Sequence, residues 1–419
     1  MDRLPPEITS KIISCLTYTV DSPPLSRTIS ICPLAPLATI CRNWQPLVEA
    51  FTFRDLHLST QNGLTSARKI LTSSRLSYLR RLRVHIRFHQ QRHAPNGTTK
   101  AFGLERIYDE ITQLFNILTQ IPYGDEPLVS LRLSFHNDLP PNVIRRVATL
   151  TSSASSSRPL QLPDLPMISY FELKNISYRL TASRAFYMTM RMPRLRELSL
   201  EFSSFMPSNE ESLQRGIEIA QSLAKLPRSI HNFSLRYFPC EYSNDTISSE
   251  DSLTRQLCQF SQREGLKDLT VYGRVEPTIF WPADSDSTAP HWPTLKSFVV
   301  HPGNILPSGK ALTVGEFERD HHPSQPNNSV ANEFCRTAAR CAAHMPKVEY
   351  CSVSIGDSSW SSLSFCTVFP EDPCLNVAGK LELEQETLEQ WSRAARVHNL
   401  DFRVCIKTPK TPEEDPEED

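Results

Sequence analysis

The apolar residues of this chain recur in one short pattern, apolar-x-x-apolar-x-apolar, whose last two positions have the period-two spacing of a half-buried strand. Copies stand at Phe53/Leu56/Leu58, Leu79/Leu82/Val84, Leu128/Leu131/Leu133, Ile168/Phe171/Leu173, Leu195/Leu198/Leu200, Ile230/Phe233/Leu235, Leu266/Leu269/Val271, Leu295/Phe298/Val300 and Val348/Cys351/Val353. So permissive a pattern recurs by chance roughly ten times in a chain of this composition. Five copies, however, are preceded three or four residues earlier by an apolar-Pro pair: Leu165-Pro166, Met192-Pro193, Leu226-Pro227, Trp292-Pro293 and Met345-Pro346. Chance supplies roughly one such combination, so the excess predicts a repeated strand unit.

Helical stripes precede several of these strands. Leu104, Ile107, Ile111, Leu114, Phe115 and Leu118 recur at steps of three and four and stop before Pro122. Ile217, Ile219, Ala220, Leu223 and Leu226 do the same before Pro227, after an acidic start at Glu210 and Glu211. Leu253, Leu257 and Phe260 make a shorter stripe closed by Gly265, and Ala331, Phe334, Cys335, Ala338, Ala339 and Ala342 make one before Pro346. Helix, proline stop, strand predicts right-handed units that stack parallel strands side by side. The copies lie from under 30 to more than 50 residues apart, which leaves long loops at 90–99, 151–163, 242–251, 283–291 and 301–328. Leu388, Trp391, Ala394 and Ala395 predict a last helix, and Leu400, Phe402, Val404 and Ile406 a last strand. The tail 408–419, with Pro-Glu-Glu-Asp repeated, has too few apolar residues to fold.

The first fifty residues carry a different pattern. Leu4-Pro5-Pro6-Glu7-Ile8 opens a helix, because prolines in a first turn forfeit no hydrogen bond and an acidic residue suits the positive helix start. Ile8, Ile12, Ile13 and Leu16 form one stripe, and Leu34, Leu37, Ile40, Cys41, Trp44, Leu47 and Val48 another. Pro46 ends one helix near Trp44 and begins the next. So small a domain cannot bury both stripes internally and tends to complete its core with a partner. If no partner covers it, Trp44 serves as a plain core residue.

These residues resemble the F-box, whose pattern is a Leu-Pro-x-Glu-Ile opening, an Ile/Leu-rich first helix and a later apolar-x-x-Val/Ile-Cys-Arg-x-Trp segment. The matching elements are Leu4-Pro5-Pro6-Glu7-Ile8, Ile12 with Leu16, and Leu37-Ala38-Thr39-Ile40-Cys41-Arg42-Asn43-Trp44, about an eighth of the chain. The stretch 17–33 is longer than the family's usual first loop by about a dozen residues, an insertion that its Asp, Ser and Pro content makes thermodynamically cheap. With the strand copies behind it, the chain resembles F-box proteins of a divergent, leucine-rich-repeat-like type common in filamentous fungi. The fold expected is α/β: an all-α F-box at 1–54, an irregular repeat solenoid with a mostly parallel, curved sheet at 55–407, and a disordered acidic tail at 408–419.

The resemblance implies a substrate-recognition subunit of a Skp–cullin–F-box ubiquitin ligase. Leu4, Pro5, Ile8, Ile12, Leu16, Leu37, Ile40 and Trp44 would dock on the Skp-type adaptor, and through it on cullin, while the repeats hold an unidentified target protein. Catalysis would be proximity to a thioester carried by another subunit, with no catalytic residue, cofactor or metal in this chain. A scaffold acting with the adaptor outside a ligase is the alternative. An intracellular enzyme with a pocket among the long loops is a third reading.

Composition narrows the partners further. A formal net charge of −1 gives no pull toward nucleic acid or an anionic membrane, and the basic stretch 75–92 alternates with apolar residues as a solvated strand face does. No apolar run nears the ~18 residues of a membrane span, so a cytoplasmic or nuclear protein is expected. Eleven cysteines without a regular framework suit reduced, packed thiols. Cys335, Cys341, His344 and Cys351 have a zinc-like spacing, but residues six apart on a helix, such as Cys335 and Cys341, point about 120° apart and face different ways. His321-His322 reads as an exposed loop pair, and Glu382, Glu384 and Glu386 as a solvated edge or helix start. No Gly-x-Ser-x-Gly elbow, Walker-type loop or dinucleotide fingerprint occurs.

Overall fold

Every copy of the apolar pattern enters a strand. The computed structural model describes residues 7–8, 11, 44–59, 63–88, 102–122, 124, 126, 128–137, 160–176, 180–202, 209–237, 252–282, 289–314, 325–355, 361–368 and 374–407. They form a mixed α/β fold with a large, mostly parallel sheet. The chain divides into two compact units: Met1–Leu139, Ala154–Glu172 and Arg191–Leu195 in the first, and Pro140–Ser153, Leu173–Met190 and Arg196–Asp419 in the second.

In the first unit α1 (Gln45–Thr52) leads directly into β1 (Asp55–Ser59). Pro46 falls in the first turn of α1 and Trp44 is its N-cap residue, as the sequence predicts for a helix begun at a proline; the helix expected before it lies outside the described residues. Two short helices, α2 (Gly63–Ile70) and α3 (Ser73–Leu76), connect β1 to β2 (Arg81–Phe88), and α4 (Phe102–Leu118) connects β2 to β3 (Val129–Asn137). The three strands pair parallel in the order β1-β2-β3, with Leu56 opposite Leu82 and Leu82 opposite Leu131. The carbonyl of Arg54 accepts both Arg80 N and Arg81 N (2.9 Å each), so β2 is locked to β1 at its entry. The chain passes to the second unit within β4 (Ile168–Ile176).

The second unit repeats one step. Helix α5 (Ala182–Met190) precedes β5 (Glu197–Phe202), α6 (Asn209–Leu223) precedes β6 (Asn232–Tyr237), and α7 (Ser252–Ser261) precedes β7 (Asp268–Gly273). A 3-10 turn at Pro277–Ile279 stands before β8 (Ser297–Pro302), and α8 (Asn328–Ala343) before β11 (Tyr350–Ile355). Leu198, Phe233, Leu269, Phe298 and Cys351 are successive register partners in parallel pairs, as are Leu200, Leu235, Val271, Val300 and Val353, and all are buried. Each strand is entered through the same double acceptor. Arg196 O takes His231 N and Asn232 N, His231 O takes Lys267 N and Asp268 N, Lys267 O takes Lys296 N and Ser297 N, and Lys296 O takes Glu349 N and Tyr350 N, at 2.7–3.1 Å. The apolar-Pro pairs make the preceding turn: Met192 O accepts Leu195 N, and Met345 O accepts Val348 N. Gly273 closes β7 at φ +144°, where an ideal Cβ would lie 1.8 Å from the carbonyl oxygen of Tyr237.

Two departures from the sequence reading follow from chain length. Residues 301–328, expected as loop, carry a small hairpin of β9 (Thr313–Val314) and β10 (Gln325–Pro326). After β11 the direction alternates: β12 (Ser361–Cys366) and β13 (Leu375–Ala378) are antiparallel, because the connection 356–360 is too short for the dozen residues a crossover needs. Helix α9 (Gln385–Val397) then restores a crossover, and β14 (Val404–Lys407) lies parallel to β13. Trp391, Ala394 and Ala395 are its buried stripe. Of the expected loops, 90–99 and most of 151–163, 242–251 and 283–291 lie outside the described residues, as does the tail 408–419.

Candidate functional site

Unstaggered parallel pairing sets the residues between the buried ones side by side in rows on the opposite, half-exposed face. In the second unit the row after the last apolar position reads Glu201, Arg236, Tyr272, His301, each the register partner of the next. Arg236 Nη1 lies 3.6 Å from Glu201 Oε2, and its guanidinium carbon 4.6 Å from the Tyr272 ring centroid. Tyr272 and His301 stack with centroids 4.1 Å apart and planes 5° from parallel. Burial, and secondarily the Arg236 charge, push the His301 pKa down and favour the neutral ring. The neighbouring row is small and mostly hydroxylic, Ser199, Ser234, Thr270 and Val299, and ends on Ser352, which is buried and donates its hydroxyl to Leu363 O. A shallow strip flanked by a guanidinium and two stacked rings is chemistry for recognising another surface, with aromatic and arginine anchors of the kind that dominate interfaces.

The first unit presents a more basic face. His57, Arg83 and Arg132 are successive register partners on β1, β2 and β3, and Asp55 is paired with Arg81. Arg132 Nε is 3.1 Å from Glu172 Oε2, and its guanidinium lies 5.3 Å from the Tyr170 ring centroid. Arg81 Nε is 3.7 Å from Asp55 Oδ1. Arg83, half-buried between His57 and Arg132, has no ion-paired carboxylate among the described residues. The His57 pKa is pushed down by burial first and by the Arg83 charge second, against an opposing pull from Asp55.

Of the residues expected to dock the adaptor, two are described. Ile8 is helical and 43% exposed, beside exposed Glu7 and Lys11. Trp44 is 7% exposed, so its side chain packs within the chain and not on an open face. Leu4, Pro5, Ile12, Leu16, Leu37 and Ile40 lie outside the described residues, as do His321 and His322.

The zinc-like spacing resolves into packing. Cys335, Cys341 and Cys351 are fully buried, and His344 is exposed, its Nδ1 2.9 Å from Arg340 O and its ring 4.8 Å from that of Trp281. Burial pushes the Cys335 thiol up to about 12 and the Cys258 thiol to about 11, and raises Cys341 and Cys351 as well. Among the described residues no three His, Cys, Asp or Glu side chains gather as metal ligands would. The Glu382/Glu384/Glu386 run sits at the start of α9: Glu384 is its N-cap residue, and Arg336 Nη1 reaches Glu384 (2.6 Å) and Glu386 (3.7 Å). Its backbone is held by Asn332, which is fully buried and uses its whole amide. Asn332 Nδ2 donates to Asn328 O and Glu382 O (2.8 Å each), while its Oδ1 accepts from Glu384 N (2.9 Å) and Thr387 Oγ1 (2.7 Å).

The face rows were missed in sequence although the signal was present, since Glu201, Arg236, Tyr272 and His301 occupy one offset in four successive copies. No helix among the described residues is long and apolar enough to cross a membrane. In comparisons with known proteins, no family model matches the chain and no curated protein matches its sequence.

Proposed function

We propose that this chain is the substrate-recognition subunit of a Skp–cullin–F-box ubiquitin ligase, with the N-terminal segment docked on a Skp-type adaptor and the strand rows holding a target protein. The observation that carries the reading is the junction between the F-box-like motif and the strands. Helix α1, which follows the motif's Trp44, is capped at Phe53, and Arg54 already accepts the entry hydrogen bonds of β2. A receptor works by holding a target lysine near a thioester on another subunit, and such proximity is lost across a flexible linker. Exposed Ile8, in a helix that opens on the motif, adds an apolar side chain available to a partner.

Burial of Trp44 favours a second role for the same segment. It is buried together with Val48 on α1, the helix that leads into β1, so the segment also contributes core at the start of the strand series. Purification of the tagged chain from cells separates the readings: adaptor with cullin is expected, adaptor without cullin leaves a scaffold, and neither removes the proposal.

A further inference from the structure

We infer that the open face of β1–β3 is a docking surface for an extended segment of the target protein bearing an acidic side chain, whose carboxylate pairs with Arg83. The inference rests on the reading of the strand rows as the target-binding part of the chain. Arg83 has His57 beside it on β1 and Arg132 beside it on β3. Adjacent strands lie about 4.8 Å apart, and like charges placed side by side at that spacing repel. Two other guanidiniums described on the face each have a carboxylate within the chain, Arg132 with Glu172 and Arg81 with Asp55. Among the described residues Arg83 alone on this face is left a half-buried cation with no carboxylate. Its planar fork suits a carboxylate bidentately.

The neighbours of Arg83 also say which anion fits. Asp55 stands opposite Arg81, one row of the face away from Arg83, and Glu172 is held by Arg132. Arg83, the guanidinium described on this face without a carboxylate, matches one carboxylate. A phosphate dianion carries more charge than this one guanidinium balances.

The test is selection of displayed random peptides on the purified full chain and on Arg83→Gln and Arg83→Glu, with melting curves to confirm folding. Peptides enriched on the wild type should carry Asp or Glu at one position. The preference should vanish with Arg83→Gln and turn to Lys or Arg with Arg83→Glu. A synthetic enriched peptide should lose about tenfold in affinity when Arg83 becomes Gln or its own acid becomes amide. Acid enrichment that persists in Arg83→Gln, absence of any acidic preference, or tighter binding of oligouridylate RNA or of a phosphoserine version of the peptide would overturn the inference. Adaptor recovery measured on the same variants should not change. Its loss in every form, with acid selection intact, would sink the ligase reading and leave the docking surface standing.

Discussion

Gly273 ends β7 directly opposite Tyr237 on β6, and the space between them has no room for a methyl group, since an ideal Cβ would fall 1.8 Å from the Tyr237 carbonyl oxygen. With φ at +144° the position also excludes ordinary side chains on conformational grounds. Gly273→Ala should therefore cost about 2–3 kcal/mol, read as a lower urea midpoint, by forcing the β6–β7 pair apart where Gly273 O also accepts Gly303 N. An unchanged midpoint would mean that this register is wrong.

The Asn332 amide is the polar tie between α8 and the start of α9. Thr387→Val removes one of its four hydrogen bonds with little change of shape, and should cost about 1 kcal/mol. Asn332→Ala strands Glu382 O, Glu384 N and Thr387 Oγ1 together, and should cost about 3 kcal/mol or more. If the two variants unfold at equal midpoints, the tie does not hold α9 as described.

Two histidines set an acid limit to stability. His301 and His57 both have folded-state pKa values below the ordinary 6.5, through burial first. A lowered histidine value means that the unfolded chain binds the proton more readily, so stability is full above pH ~6.5 and is lost as pH falls below it. Equilibrium unfolding from pH 7.5 down to 5.5 should show this decline. His301→Phe, which keeps a ring against Tyr272, should flatten it, and a steeper decline in that variant would contradict the assignment.

The buried thiols predict slow chemistry. Among the described cysteines of the native protein at pH 8, the partly exposed Cys366 and Cys405 should react with a thiol reagent ahead of Cys258, Cys335, Cys341, Cys351 and Cys374, which should react only on unfolding. Chelator should leave the melting temperature unchanged, because a structural zinc would be coupled to folding. Stoichiometric zinc lost together with structure would revive the Cys335, Cys341, His344 site.

Leu198, Phe233, Leu269 and Phe298 are legible as strand positions because the turn before each places its apolar residues at a constant offset, and parallel pairing then carries that offset across the sheet. Helix α5 is not legible: its buried face is built from Ala182, Ala185, Phe186, Met188 and Thr189, too small and too mixed to make a stripe. Strands β12 and β13 lack the turn, and their antiparallel direction depends on connection length, which an apolar pattern does not encode. The face rows escape for another reason. Arg83, Arg236 and His301 are ordinary polar residues one at a time, and only register makes neighbours of residues about 30 to 50 positions apart.

Trp44 cannot report on adaptor docking by itself. As a buried side chain its replacement by Ala should cost about 3–5 kcal/mol of stability, whatever partner is present.

Ile8 can report on it, being exposed and apolar within the F-box-like motif. The measurement is co-expression of the full chain and of Ile8→Asp with a Skp-type adaptor, comparing adaptor recovery while following the melting of both proteins. The substrate-receptor reading predicts adaptor bound to the wild type, recovery reduced at least about tenfold by the charge at position 8, and equal melting temperatures. Equal recovery of adaptor by both proteins, or none by either, would contradict it.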